Sequence, residues 1–142
     1  MNIKTIEDLD RLEKVEELIN ELRALAESGA IIVVEGKKDV DSLHSLGING
    51  EIRQASQQPL IHFAESLSKS GKKIVLLTDW DEKGGMISKK IIMHLMPFGI
   101  APDTDIRKRI SILVKKRIKD IESLNNYVMK QRNKRLKLKY GF

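Results

Sequence analysis

The sequence predicts an α/β fold: a parallel sheet of about four strands with helices on both faces, an N-terminal helix before it and a basic helical extension after it. Three observations predict this. The runs "AIIVVEG" and "KKIVLLTD" are continuously apolar and partly β-branched, the composition of strands covered on both faces. Segments with apolar residues every three or four positions alternate with such runs. The connections between runs are long enough for parallel crossovers rather than hairpins.

In order, "TIEDLDRLEKVEELINELRALAESG" reads as a helix. Thr5 with Asp8 gives a capping-box pattern, Ile6, Leu9, Leu12, Val15, Leu18, Ile19, Leu22 and Leu25 form one stripe, and Gly29 is the stop. "AIIVVEG" is the first strand, "KDVDSLHSL" a short helix ended by Gly47, and "EIRQA" a second strand. "QPLIHFAESLSKSG" is a helix with Pro59 in its first turn and Gly71 beyond its end. "KKIVLLTD" is the third strand and "GGMISKKIIMHLM" a helix before Pro97. "GIAPD" offers a short fourth strand that Pro102 confines to an edge or terminus. The rest is helical by pattern and then dissolves into a basic tail. The expected division is 1–29, 30–102 and 103–142.

A chain of 142 residues supports one real core, and 41% hydrophobic with 32% charged residues fits a globular protein. No apolar run approaches the roughly 18 residues a membrane span needs. The acidic, periodic N-terminus does not read as a signal or transit peptide. Without cysteine there are no disulfides and no thiolate metal sites, which suits a cytoplasmic protein. His44, His62 and His94 are scattered and read as surface or half-buried residues, not as a zinc site. The net charge of +6 is unevenly spread. Residues 103–142 hold 13 Lys/Arg against 4 Asp/Glu, whereas residues 1–102 hold 13 against 16. That asymmetry implies an anionic partner, nucleic acid being the commonest.

Acids gather at two strand exits. "VVEGKKD" places Glu35 and Asp39 after the first strand, and "LLTDWDEKG" places Asp79 and Asp81 after the third. In a parallel sheet these ends carry the functional groups. If the strands are neighbours, Glu35, Asp79 and Asp81 face one another, since i and i+2 share a face in an extended chain. Like charges that close need a cation or raised pKa values. An oxygen-only site with open positions suits Mg²⁺ better than a calcium cage. The plain alternative is that each Asp caps a helix or forms a turn.

These residues carry a resemblance. "IIVVEGKKDVDSL", followed some forty residues later by "IVLLTDWDEKGG", resembles the Toprim domain of topoisomerases, bacterial-type primases, overcoming-lysogenization-defect nucleases and recombination-repair proteins. In form it is most similar to small stand-alone Toprim proteins and to the ribonuclease that matures 5S ribosomal RNA. The resemblance covers roughly residues 30–100. It implies phosphodiester chemistry, with Mg²⁺ (Mn²⁺ as substitute) held by the Asp-x-Asp pair at Asp79 and Asp81, and Glu35 as a general acid or base that shares the metal site. It matches the family's glycines to Gly36 and Gly84, and its second acid to Asp39, an accessory carboxylate. Gly36 and Gly84 would admit a phosphate close to the backbone. Lys37, Lys38 and Lys83 either hold phosphate oxygens or solvate a helix start. Trp80, between the aspartates, either stacks on a base or packs against a helix. No separate domain supplies a topoisomerase's tyrosine, Tyr127 and Tyr140 read as packing or tail residues, and the primase modules are missing.

The tail "MKQRNKRLKLKYGF" adds Lys130, Arg132, Lys134, Arg135, Lys137 and Lys139, either as phosphate contacts or as a solubilising end. The expected function is therefore a Mg²⁺-dependent nuclease acting on RNA or DNA. A non-catalytic nucleic-acid-binding module, or a subunit of a larger assembly with protein partners, is the alternative. A third class, a nucleotide-binding α/β protein, has no glycine-rich phosphate loop to support it.

Overall fold

A computed structural model describes residues 1–141; Phe142, the last residue of the expected tail, lies outside the described residues. Helix α1 (Ile3–Glu27) leads into strand β1 (Ile31–Val34), helix α2 (Lys37–Ser45) and strand β2 (Glu51–Gln54). Helix α3 (Leu60–Ser68), strand β3 (Ile74–Leu76) and helix α4 (Glu82–Leu95) follow, and helices α5 (Asp105–Val114) and α6 (Leu124–Tyr140) close the chain. The sheet is parallel in the order β2-β1-β3, with Ile32 opposite both Ile52 and Val75. The two acid-bearing strands are thus neighbours.

Side-chain alternation along these short strands divides the core in two. Ile32, Val34, Val75 and Leu77 face α1, α2, α5 and α6, whereas Ile31, Val33, Ile74 and Leu76 face α3 and α4. Both faces are covered, which is why the strands read as unbroken apolar runs. Leu12, Val15, Leu18, Ile19 and Leu22 of α1 are buried in the same core as Ile106, Ile110 and Val114 of α5 and Leu124 and Val128 of α6. The flanking helices therefore complete one face of the sheet.

Three expectations change in detail. The cap of α1 is Asn2, whose side chain accepts from the Thr5 N–H at 2.8 Å; Asp8 instead pairs with Arg11. The box pattern lost because an Asx residue three positions earlier could start the helix one turn sooner. The fourth strand shrinks to one parallel bridge between Val75 and Asp103, where Asp103 donates to Ile74 and accepts from Leu76. Pro102 has no N–H to extend it. The basic segment does not dissolve: it stays helical to Tyr140, with Gly141 in the left-handed conformation closing the last turn.

Candidate functional site

Glu35 follows β1 directly, and Gly36 behind it is the N-cap of α2. The Asp39 carboxylate turns back and accepts from the Gly36 N–H at 3.0 Å, fixing this exit. Beyond β3, Leu77 still donates to the Val33 carbonyl, and then the chain leaves the sheet. Asp79 and Asp81 therefore do not share a strand face. Asp81 is the N-cap of α4, accepting from the Gly84 N–H at 2.7 Å, and is exposed; Asp79 is half-buried beside Glu35.

The Asp79 N–H donates to the Glu35 carboxylate at 2.8 Å, and the Asp79 carboxylate accepts from the Ile121 N–H at 2.9 Å. Burial pushes the Asp79 carboxyl up to about 8; the Ile121 N–H opposes the rise, while Glu35 and Asp39 add to it. Asp39 is also raised, by burial first and then by Glu35, Asp120 and Glu122. Asp39 and Asp79 are thus the carboxyls raised at this edge, with Glu35 adding to both, whereas Asp81, expected to face Glu35 and Asp79, caps α4 instead.

The backbone around Asp79 is held from outside the motif. Arg107 of α5 donates to the carbonyls of Thr78 (2.9 Å) and Asp79 (2.6 Å). The segment between α5 and α6 acts as a strap. Trp80 donates its indole N–H to the Ile118 carbonyl at 2.8 Å and its backbone N–H to the Lys119 carbonyl at 3.3 Å. Half-buried against the core, Trp80 takes the packing role rather than a free stacking face. Gly84 is buried, and an added Cβ would run into the Asp79 carbonyl oxygen. Its missing side chain is used by the protein's own turn, which Thr78 seals by donating its hydroxyl to the Gly84 carbonyl at 2.9 Å. Around Gly36 there is open space where a Cβ would stand.

The lysines divide. Lys37 pairs with Asp41 at 3.0 Å and Lys38 lies 3.7 Å from Glu122, both exposed, while Lys83 is exposed in the first turn of α4. On α6, Arg132 and Arg135 close on Glu16 of α1 at 3.0 and 2.6 Å. Burial alone would raise the Glu16 carboxyl, but hydrogen bonds and charge from Arg135 and Arg132 hold it below the usual range. Lys130 and Lys134 remain exposed along the same helix, as does Lys137, and Lys139 lies over the Tyr140 ring at 5.5 Å. Tyr127 is buried and Tyr140 exposed, the packing and tail roles expected of them.

The donor chemistry fits a hard divalent cation: the groups are oxygens only, and the carboxyl pushed to about 8 is one that a cation would relieve. Asp79 and Asp81 each spend one oxygen on a backbone N–H, and among the described residues no three His, Cys, Asp or Glu side chains are gathered as a metal-holding group. Sequence reasoning missed Arg107, Ile121 and Asp120. Only the last carried a signal, the "DIE" at 120–122 interrupting a basic run.

No helix of the described residues is long and apolar enough to cross a membrane. A model of the Toprim domain matches residues 30–113, more than half of the chain. A UPF0292 protein of Methanosarcina barkeri is 43% identical over 132 residues, covering 93% of this chain and 89% of the relative. A UPF0292 protein of Methanocaldococcus jannaschii is 44% identical over 120 residues, covering 84% and 93%. A solved structure of a protein from Aquifex aeolicus shares 31% identity at a TM-score of 0.63, over 75% of this chain and 94% of that one. The Toprim domain is a fold of metal-binding, nucleic-acid-processing proteins. The chain belongs to the Toprim domain family, alongside the UPF0292 proteins.

Proposed function

We propose that this protein is a Mg²⁺-dependent nuclease, with Mn²⁺ as a substitute, that cuts phosphodiesters of RNA or DNA in the cytoplasm. The observation that carries the reading is the pairing of Glu35 and Asp79 across two neighbouring strand exits, with Asp79 pushed to about 8. Strongly perturbed carboxyls cluster at functional sites, which supports this reading over a plain helix cap or turn former. Glu35, Asp79 and Asp81 are the residues to hold the cation. When bound, a divalent ion supplies charge neutralisation at the phosphoryl oxygens. Glu35 takes or gives the proton at the reacting oxygen. Gly36 leaves the backbone open to a phosphate, and Lys37, Lys38 and Lys83 supply positive charge beside it. Arg107 and the Ile121 N–H hold Asp79 in place and touch no substrate.

A second reading is favoured by the same site. Asp81 is occupied as a helix cap, and the acids are not gathered as a trio among the described residues. On that reading the chain binds nucleic acid without cutting it, alone or within a larger assembly with protein partners. Incubating labelled structured RNA and DNA with the protein and Mg²⁺, Mn²⁺ or EDTA separates the two. Cleavage that EDTA abolishes supports the nuclease; retention without cleavage on every substrate and metal supports the binding module.

A further inference from the structure

A cavity lined by basic residues lies away from the acidic edge. It is an open groove of about 720 Å³ between α1, α6 and the strap. Its walls carry Lys4, Lys116, Arg117, Lys130 and Lys134 over a floor that includes Ile118 and Tyr127. Asp8, the acid in this wall, is already claimed by Arg11 at 2.9 Å and Arg117 at 3.6 Å. Lys4, Lys116, Lys130 and Lys134 are exposed and form no ion pair among the described residues. That contrasts with Arg132 and Arg135 on the same helix, which Glu16 neutralises.

We propose that this groove, built from both ends of the chain and the strap, is the seat of the phosphodiester backbone of a nucleic acid, and that it delivers the strand to the acidic site. Four uncompensated ammonium groups around one concave surface form a focused positive field that suits a polyanion. Lysine is a mobile point charge suited to phosphate contacts, so the groove positions the strand rather than specifying its sequence. The link to the acidic site is covalent and short. Ile118 and Ser123 line the groove, while Ile118 and Lys119 accept from Trp80, and the Ile121 N–H holds the Asp79 carboxylate. One segment is therefore a wall of the groove and a support of the acids. The delivery step rests on the nuclease reading; occupancy of the groove does not.

The test is metal-free binding in EDTA of fluorescent single- and double-stranded RNA and DNA, measured against salt, with polyglutamate as a further polyanion. The decisive variant is Lys4→Gln with Lys116→Gln, two positions outside α6. Two lost phosphate contacts should flatten the slope of log affinity against log salt by about 1.4–1.8. Lys130→Gln with Lys134→Gln should do the same. Lys89→Gln with Lys90→Gln on α4 removes equal charge elsewhere and should leave the slope within about 0.5 of wild type. Circular dichroism melting shows whether each variant keeps its fold, and these exposed side chains should leave it unchanged. An unchanged slope for Lys4/Lys116, or an equal drop for Lys89/Lys90, overturns the groove. Binding of polyglutamate but of no oligonucleotide also overturns it, in favour of an acidic protein. Whether the RNA or DNA arms bind more tightly names the source of the phosphates. A protein that binds through these lysines but never cleaves keeps the groove and loses only the nuclease.

Discussion

Charge is handled in opposite ways in two regions of this molecule. At the carboxyl edge of the sheet, Asp39 and Asp79 are partly desolvated with Glu35 acting on both, and backbone N–H groups are what counter these carboxylates. On the α1–α6 flank the charges are exposed and only some are compensated: Glu16 holds Arg132 and Arg135, while Lys4, Lys116, Lys130 and Lys134 face solvent. Burial magnifies each interaction at the acidic edge, so a single group there is worth a large effect. Solvent and salt screen the flank, so its effect comes from number and shape. On the proposed reading, chemistry belongs at the first kind of site and capture of a polyanion at the second.

The sharpest way to break that division is to remove the acids together. A Glu35→Gln, Asp79→Asn, Asp81→Asn variant should lose metal-dependent cleavage by about 10²–10³-fold or more, the scale of one lost charge-stabilising group at a transition state. Its oligonucleotide affinity in EDTA should match wild type. Equal loss of binding and cleavage would merge the two regions into one surface. Asp81→Asn alone should hardly alter the melting temperature, because asparagine caps a helix as well as aspartate does.

Next in size is Gly84→Ala. The added Cβ meets the backbone carbonyl of Asp79, which Arg107 already fixes, so neither partner can yield cheaply. The expected cost is about 3 kcal/mol, at the upper end for overpacking, read by denaturant unfolding. A loss below about 0.5 kcal/mol would mean that the turn is soft and that Asp79 is not rigidly placed.

The fate of Gly84 also shows how far this edge was legible beforehand. Glu35 and Asp79 could be placed at the same edge only on the condition that their two apolar strands are neighbours, a condition the order β2-β1-β3 meets. The strap could not. Ile121 and Arg107 meet Asp79 across 42 and 28 positions, through a backbone N–H and two backbone carbonyls, and no residue type advertises such a contact. Asp81 was misplaced in orientation because the chain after the strand was read as still extended from Asp79 to Asp81, whereas the pleat stops near Leu77. On the flank, the basic excess was plain in composition. Its division into Glu16-bound arginines and open lysines needed the crossing of α1 and α6. The tail read as dissolving because α6 beyond Val128 has little apolar stripe to bury; the helix persists there with the Glu16 pairs and a glycine close.

The pH dependence of stability probes the acidic edge without any ligand. Asp79 has a folded-state value of about 8 against an ordinary 3.8, so the native state holds this proton more tightly than the unfolded chain. The stabilising contribution is fully present below about pH 4 and is lost as pH rises through about 8. Metal-free wild type should therefore lose melting temperature between about pH 4 and 8 and level off above that. Asp79→Asn keeps an oxygen for the Ile121 N–H but does not ionise, so its curve should be flatter and cross above wild type at the alkaline end. Parallel curves would remove Asp79 as the strained group. Adding Mg²⁺ at pH 9 should recover the wild type more than the variant.

The smallest effect addresses the flank. Glu16→Gln leaves the shape of α1 intact but releases Arg132 and Arg135 from their shared carboxylate. Partly exposed ion pairs of this kind are worth about 0–1 kcal/mol each, so the stability loss should be of that order. Binding should move the other way. If Glu16 competes with phosphate for these guanidiniums, its removal adds up to two cations beside the groove and steepens the salt slope by about 0.7–1.8. An unchanged slope would mean that Arg132 and Arg135 serve the helix crossing alone. The lysines would then carry the phosphate by themselves, and a second substitution of Arg132 and Arg135 to Gln should cost stability without touching affinity. That outcome would draw the line between holding the fold and holding the ligand within a single turn of α6.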